Sequence, residues 1–101
     1  MIAIAGTLPV NADRIDDAKA GFSWMQAETR KEDGCVTYTF TQDLDDPALF
    51  HVFEYWESAA ALAAHGKSAH MVEFGPKMKG VFAGRPSVLQ YKVSETGPIG
   101  S

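Results

Sequence analysis

The order strand, helix, strand, strand, broken helix, strand in a chain of 101 residues predicts an α+β fold. An antiparallel four-stranded sheet carries its helices on one face. Three observations support it. Four short segments are rich in β-branched and aromatic residues, two stretches space their apolar residues by threes and fours, and a βαβ unit occurs twice. That repetition is the layout of a split βαβ, or ferredoxin-like, domain.

The elements follow in order. Ile2 to Leu8 sets Ile2, Ile4 and Leu8 against Ala3, Ala5 and Thr7, and Pro9 closes this first strand. Asn11 or Asp13 is placed to cap a helix with an acidic first turn and with Arg30 and Lys31 in its last, as the helix dipole favours. Its inward stripe is Ile15, Ala18, Phe22, Met25 and Thr29; Trp24 lies off the stripe and suits a second contact, across a subunit boundary. Asp33-Gly34 is a turn pair. Cys35 to Gln42 alternates, with Val36, Tyr38 and Phe40 on one face and three threonines on the other. The polar turn Asp43 to Pro47 makes the next strand the return arm of a hairpin.

That strand, Phe50 to Trp56, sets Phe50, Val52, Glu54 and Trp56 on one face and His51, Phe53 and Tyr55 on the other. Both faces are largely apolar and need cover. Ser58 caps an Ala-rich helix that stops at Gly66, and Ser68 starts the next. Met71, Phe74, Met78 and Phe82 keep helical spacing across a bend or restart at Gly75-Pro76. Ser87 to Val93 is the last strand. Residues 1–93 thus form one domain, and 94–101 a loose tail. With helices on one face, the other bears an apolar row from each strand, so two sheets are expected to pack face to face in a homodimer.

A net charge of −4 with no basic cluster argues against nucleic acid and anionic membrane surfaces as partners. No segment is long and apolar enough to span a bilayer. One cysteine makes no intrachain disulfide, and the start MIAIAG resembles no signal peptide, so a reducing cytoplasm is expected.

All three histidines fall between Phe50 and His70. His65 and His70 straddle a helix break, and imidazole titrates near neutral pH. Either is a general base or a hydrogen-bond partner of an ionisable substrate, or else a capping or surface histidine. His51 points to the other strand face, as an interface or core residue. Glu54, a carboxylate on an apolar face, has three readings: a functional acid with a raised pKa, the partner that orients His65 or His70, or a structural ligand of helix-terminal amides or Arg85. Trp56 walls a flat aromatic ligand or fills the core. A metal site of His65, His70 and Glu73 matches no common zinc spacing, so no metal is expected. No phosphate loop, dinucleotide fingerprint or nucleophile elbow occurs, and no cofactor is expected.

These residues resemble the antibiotic biosynthesis monooxygenase superfamily of small dimeric ferredoxin-like proteins, the dimeric α/β-barrel type. The resemblance rests on Glu54-x-Trp56 ending a strand, Ala64-His65 ending an Ala/Leu helix, and Ser68-x-His70 opening the next. Glu28-Thr29-Arg30 through Glu32-Asp33-Gly34-Cys35, followed by Tyr38, matches the family's helix-to-strand junction. It spans Ile2 to Val93.

The resemblance implies a pocket between helices and sheet. In it some members oxidise phenols, hydroquinones or anthrones with dioxygen and no cofactor, the ionised substrate supplying the electrons. His65, His70 and Glu54 would then be catalytic, with Trp56, Met71, Phe74 and Phe82 lining a dry cavity for a small aromatic molecule and dioxygen. The haem-degrading branch carries an asparagine on its first strand; here the only asparagine is Asn11, after Pro9, which disfavours haem. Of the asparagine, tryptophan, tyrosine and arginine set of the polyketide-tailoring branch, Trp56 alone has a clear counterpart. An isomerase or lyase on the same scaffold, or a non-catalytic binding or stress-associated protein, are the competing readings.

Overall fold

The computed structural model describes all 101 residues. The elements are β1 (Ile2–Pro9), α1 (Ile15–Thr29), β2 (Cys35–Gln42), β3 (Leu49–Trp56), α2 (Ala59–Gly66), α3 (Ala69–Lys77) and β4 (Ser87–Lys92). The four strands form one antiparallel sheet in the order β2-β3-β1-β4. This is the split βαβ arrangement, with β1 and β3 as the central strands.

Alternation sends Ile2, Ile4 and Leu8 of β1, Tyr38 and Phe40 of β2, and Phe50, Val52, Glu54 and Trp56 of β3 to the helix-covered face. Phe22 of α1 is the hub of the larger core cluster. It stacks on Phe40 with ring centres 4.4 Å apart, meets Phe50 edge-on at 5.1 Å, and lies 6.1 Å from Phe82. Removing such a ring costs about 3–5 kcal/mol. A second cluster joins Ile2, Met25, Tyr38 and Trp56.

Two side chains of α1 fasten the edge strand β2. Gln26 Oε1 accepts from Phe40 N (3.1 Å), and Arg30 Nε donates to the Tyr38 carbonyl (2.9 Å). These satisfy backbone groups that an edge strand otherwise leaves open.

Four expectations are corrected. A register shift between Cys35 and Thr37 sets Cys35 opposite Trp56 and leaves Val36 exposed, so Val36 does not share the face of Tyr38 and Phe40. Neither Asn11 nor Asp13 caps α1: its N-cap is Arg14, without a side-chain cap, while the Asn11 amide donates to the carbonyls of Gly80 and Phe82. Helix α3 runs through Gly75-Pro76 without a restart and stops at Lys77. Phe82 lies instead in a bridge to Val10, because the segment after α3 is strapped to the end of β1.

The fourth correction concerns the open face. The β2 row is Thr37, Thr39 and Thr41, so an apolar row does not come from every strand. Cross-strand neighbours Phe53, Ala5 and Leu89, then Tyr55, Ala3 and Tyr91, make an apolar band over the other three. Within it Phe53 is 46%, Leu89 62% and Tyr91 49% exposed in the single chain.

Candidate functional site

The site lies where the α1–β2 turn meets the junction of α2 and α3. Ser58 and Ser68 cap those two helices, accepting from Ala61 N and Met71 N. The short break between them sets His65 in the last turn of α2 and His70 in the first turn of α3, with ring centres 5.8 Å apart. Gly34, at φ +82°, closes the turn after α1, and its carbonyl accepts from Glu57 N just past β3. That fastening carries Glu32 to the histidines.

Glu32 Oε2 is within 2.6 Å of His65 Nδ1 and 2.8 Å of His70 Nε2. A carboxylate only accepts, so both nitrogens carry the shared protons. Neutral His65 is therefore the Nδ1–H tautomer, with its lone pair on Nε2. His65 is 4% exposed and is packed by Trp56 and Tyr38, with ring centres at 4.8 and 5.4 Å.

Beneath α2 and α3 is a cavity of about 310 Å³. Its floor is Ile4, Leu8, Tyr38, Phe40, Val52 and Glu54 of the sheet; Leu62, His65 and Gly66 of α2 and Met71 and Phe74 of α3 form the roof. Val88 of β4 adds a side. Only His65, Glu54 and Tyr38 bring polar side-chain groups to an otherwise apolar set of lining residues. His65 Nε2 has no protein partner, and no fully buried side-chain nitrogen or oxygen lacks one, so Nε2 is not sealed in the core, and the His65 residue lines the cavity.

Glu54 is 8% exposed. Its Oε1 accepts from Trp56 Nε1–H at 3.0 Å, which leaves Oε2 without a protein partner in a residue that lines the cavity. Burial pushes its pKa up; the Trp56 hydrogen bond and the positive potential of His65 pull the other way, and Glu32 adds to the rise. Burial, reinforced by Glu54, also keeps the Tyr38 phenol protonated well above its usual range. The Cys35 thiol is pushed up by burial and then by Glu32 and Glu54, which disfavours the nucleophilic thiolate.

The structure brings His65, Glu54, Met71 and Phe74 onto one cavity and sets His70 behind His65. Trp56 does not line it: fully buried, it backs the site and holds Glu54. Phe82 packs against the Phe22 cluster away from the cavity. Glu73 is exposed and apart; Glu32 takes the place proposed for it beside the histidines. His51 sits on the open face, with Nε2 2.8 Å from Asp43 Oδ1. Sequence reasoning missed Glu32 as a site residue, since 33 positions separate it from His65; its place in the Glu32-Asp33-Gly34-Cys35 junction that matched the family was the signal.

A small ferredoxin-like α+β domain with an apolar cavity under a histidine–carboxylate cluster defines the class. The chain belongs to the antibiotic biosynthesis monooxygenase family, whose sequence model matches residues 1–77. It is 30% identical over 95 residues to an uncharacterized protein of Synechocystis sp.; the match takes in 94% of this chain and 65% of that relative's length. A candidate antibiotic biosynthesis monooxygenase from Deinococcus radiodurans shares the fold, with a TM-score of 0.88 over all of both chains at 24% identity. Another from Caulobacter crescentus superposes with a TM-score of 0.87 at 25% identity, covering 93% of this chain and 90% of that one. No helix is long and apolar enough to cross a membrane.

Proposed function

We propose that the protein is a cofactor-independent monooxygenase that oxidises a small phenolic or quinol-type substrate with dioxygen. The observation that carries this reading is His65: Glu32 holds its Nδ1–H, its Nε2 is left unpaired, and the residue lines an apolar cavity of one-to-two-ring size. Nε2 takes the substrate's hydroxyl proton, and Glu32 steadies the imidazolium that forms, as a carboxylate does behind a catalytic histidine. The ionised ring then gives its electrons to dioxygen. A hydroquinone leaves as a hydroxyquinone, one oxygen atom entering the ring and the other leaving as water. Apolar walls favour the neutral reactants and keep out competing water.

His70 shares the Glu32 oxygen and so positions the dyad. Glu54 Oε2, on the same cavity, binds the substrate's second oxygen as a hydrogen-bond donor when protonated. Family membership supports an activity of this general kind. The band around Phe53, Leu89 and Tyr91 supports a homodimer formed through the sheet faces, because a monomer would leave it in water. We place the protein in the cytoplasm, where its single thiol stays reduced.

The test is oxygen uptake by chelator-treated protein with hydroquinones and anthrones. Turnover should fall at least about a hundredfold in His65→Ala and less in His70→Ala. Uptake unchanged in His65→Ala would overturn the assignment of the base. Absence of uptake over autoxidation, with a ligand-induced rise in Tm, would make the protein a binder rather than an enzyme.

A further inference from the structure

We propose that Glu32, His65 and His70 form a binding site for one divalent transition-metal ion, zinc in the first instance, and that the ion switches off His65 as a base. The three donor atoms, Glu32 Oε2, His65 Nδ1 and His70 Nε2, all lie within 4.8 Å of one another. They come from three places in the chain: the α1–β2 turn, the end of α2 and the start of α3. Two imidazoles and one carboxylate are a donor set suited to zinc and its first-row neighbours, with a position left for water.

The fit needs little movement. Zinc–ligand bonds of about 2.1 Å set tetrahedral donors about 3.4 Å apart. The present contacts of 2.6 and 2.8 Å to Glu32 therefore open by less than about 1 Å, and the two histidine nitrogens, within 4.8 Å of each other, close by at most about 1.4 Å. Electrostatics favour a cation as well. Neither Glu32 nor Glu54 is paired with a lysine or arginine, and the only ion-pair partners of Glu32 are the two histidines. Trp56 and Tyr38 pack the His65 ring and hold its plane.

The consequence for the cavity is a change of tautomer. A metal on Nδ1 uses that lone pair, so the ring proton of neutral His65 moves to Nε2. The atom facing the cavity then donates where it had accepted. No bond to substrate is made or broken; the ion competes with the shared protons. The metal site rests on the donor geometry alone and holds whether or not the chain oxidises a quinol, whereas the switch rests on the proposed role of His65 as the base.

The experiment titrates Co²⁺, then Zn²⁺, into the chelator-stripped full chain and reads the visible d–d absorption, binding heat and Tm. None of these needs turnover. Wild type should bind one ion, show a four- or five-coordinate cobalt spectrum, and gain roughly 10 °C at a hundredfold excess over Kd. Glu32→Gln and His70→Gln should weaken binding at least about tenfold, because the first exchanges a charged oxygen donor for a neutral amide and the second removes an imidazole. Their metal-free circular dichroism must match wild type, and His51→Ala, on the opposite sheet face, should bind as wild type does. Absence of a 1:1 complex, or equal affinity in wild type, Glu32→Gln and His70→Gln, would overturn the site. If quinol oxidation is observed, Zn²⁺ should suppress it in wild type; binding without suppression would overturn the switch and leave the site standing.

Discussion

Replacing Trp56 by Phe tests whether the indole is there to hold Glu54. The bond from Nε1–H to Glu54 Oε1 is 3.0 Å long with both groups buried, and a buried hydrogen bond to a charged acceptor contributes about 1.5–3 kcal/mol. Shrinking indole to phenyl at a fully enclosed position costs about another 1 kcal/mol for the void. The expected loss is therefore about 3 kcal/mol, or a Tm lowered by more than about 10 °C in a domain of this size. Urea unfolding followed by circular dichroism at fixed protein concentration measures it.

Glu54→Gln supplies the control, because its amide oxygen still accepts from the indole but carries no charge. In that background Trp56→Phe should cost about 1 kcal/mol less. The sign with pH follows from burial raising the Glu54 pKa above its ordinary 4.5. The folded chain holds this proton more tightly than the unfolded one. The stability it contributes is full below the unfolded value and is lost as pH rises through the folded one. Trp56→Phe removes a bond that lowers the pKa, so its deficit should grow from acid to neutral pH. Equal costs in both backgrounds, or a deficit independent of pH, would refute the reasoning.

Other predictions concern the frame. In Gly6→Ala the new Cβ would stand 2.2 Å from the Ser87 carbonyl oxygen and 2.5 Å from Val88 Cα. We expect a loss of more than about 2 kcal/mol, with amide-exchange protection failing at 87–92 before β2 and β3. Phe53→Glu puts a charge in the apolar band and should yield a single-chain species in sedimentation; an unchanged mass distribution would count against a sheet-face dimer. Hydrogen bonds from His51, then from the backbone of Asp45 and Asp46, hold the Asp43 carboxyl below its ordinary 3.8. Its contribution is present above the unfolded value and lost as pH falls through the lower folded one. The stability gap between wild type and Asp43→Asn should thus close in acid; a gap independent of pH would exclude this carboxylate as the cause.

Much of the frame is local in origin, and so it was legible in the residues. Alternation in Phe50–Trp56 and spacing in Ile15–Thr29 follow from the pleat of a strand and the pitch of a helix. Serines at 58 and 68 mark two helix starts through a bond three residues long. The neighbourhood of His65, His70, Trp56 and Glu54 was legible for the same reason: only short elements separate them.

What tertiary structure alone decided lies across longer gaps. Glu32 reaches His65 and His70 because the turn closed by Gly34 is bonded to the residue after β3. No period within the sequence encodes that meeting. The bulge at Val36 reverses one side chain because β2 must match the register of β3 while α1 holds its outer edge. Trp56 and Phe82 had the right chemistry for a cavity wall, yet packing set one behind the cavity and the other in the Phe22 cluster. Composition can nominate an aromatic residue for a site, but which side of it meets empty space depends on how the sheet and its layer of helices close over one another.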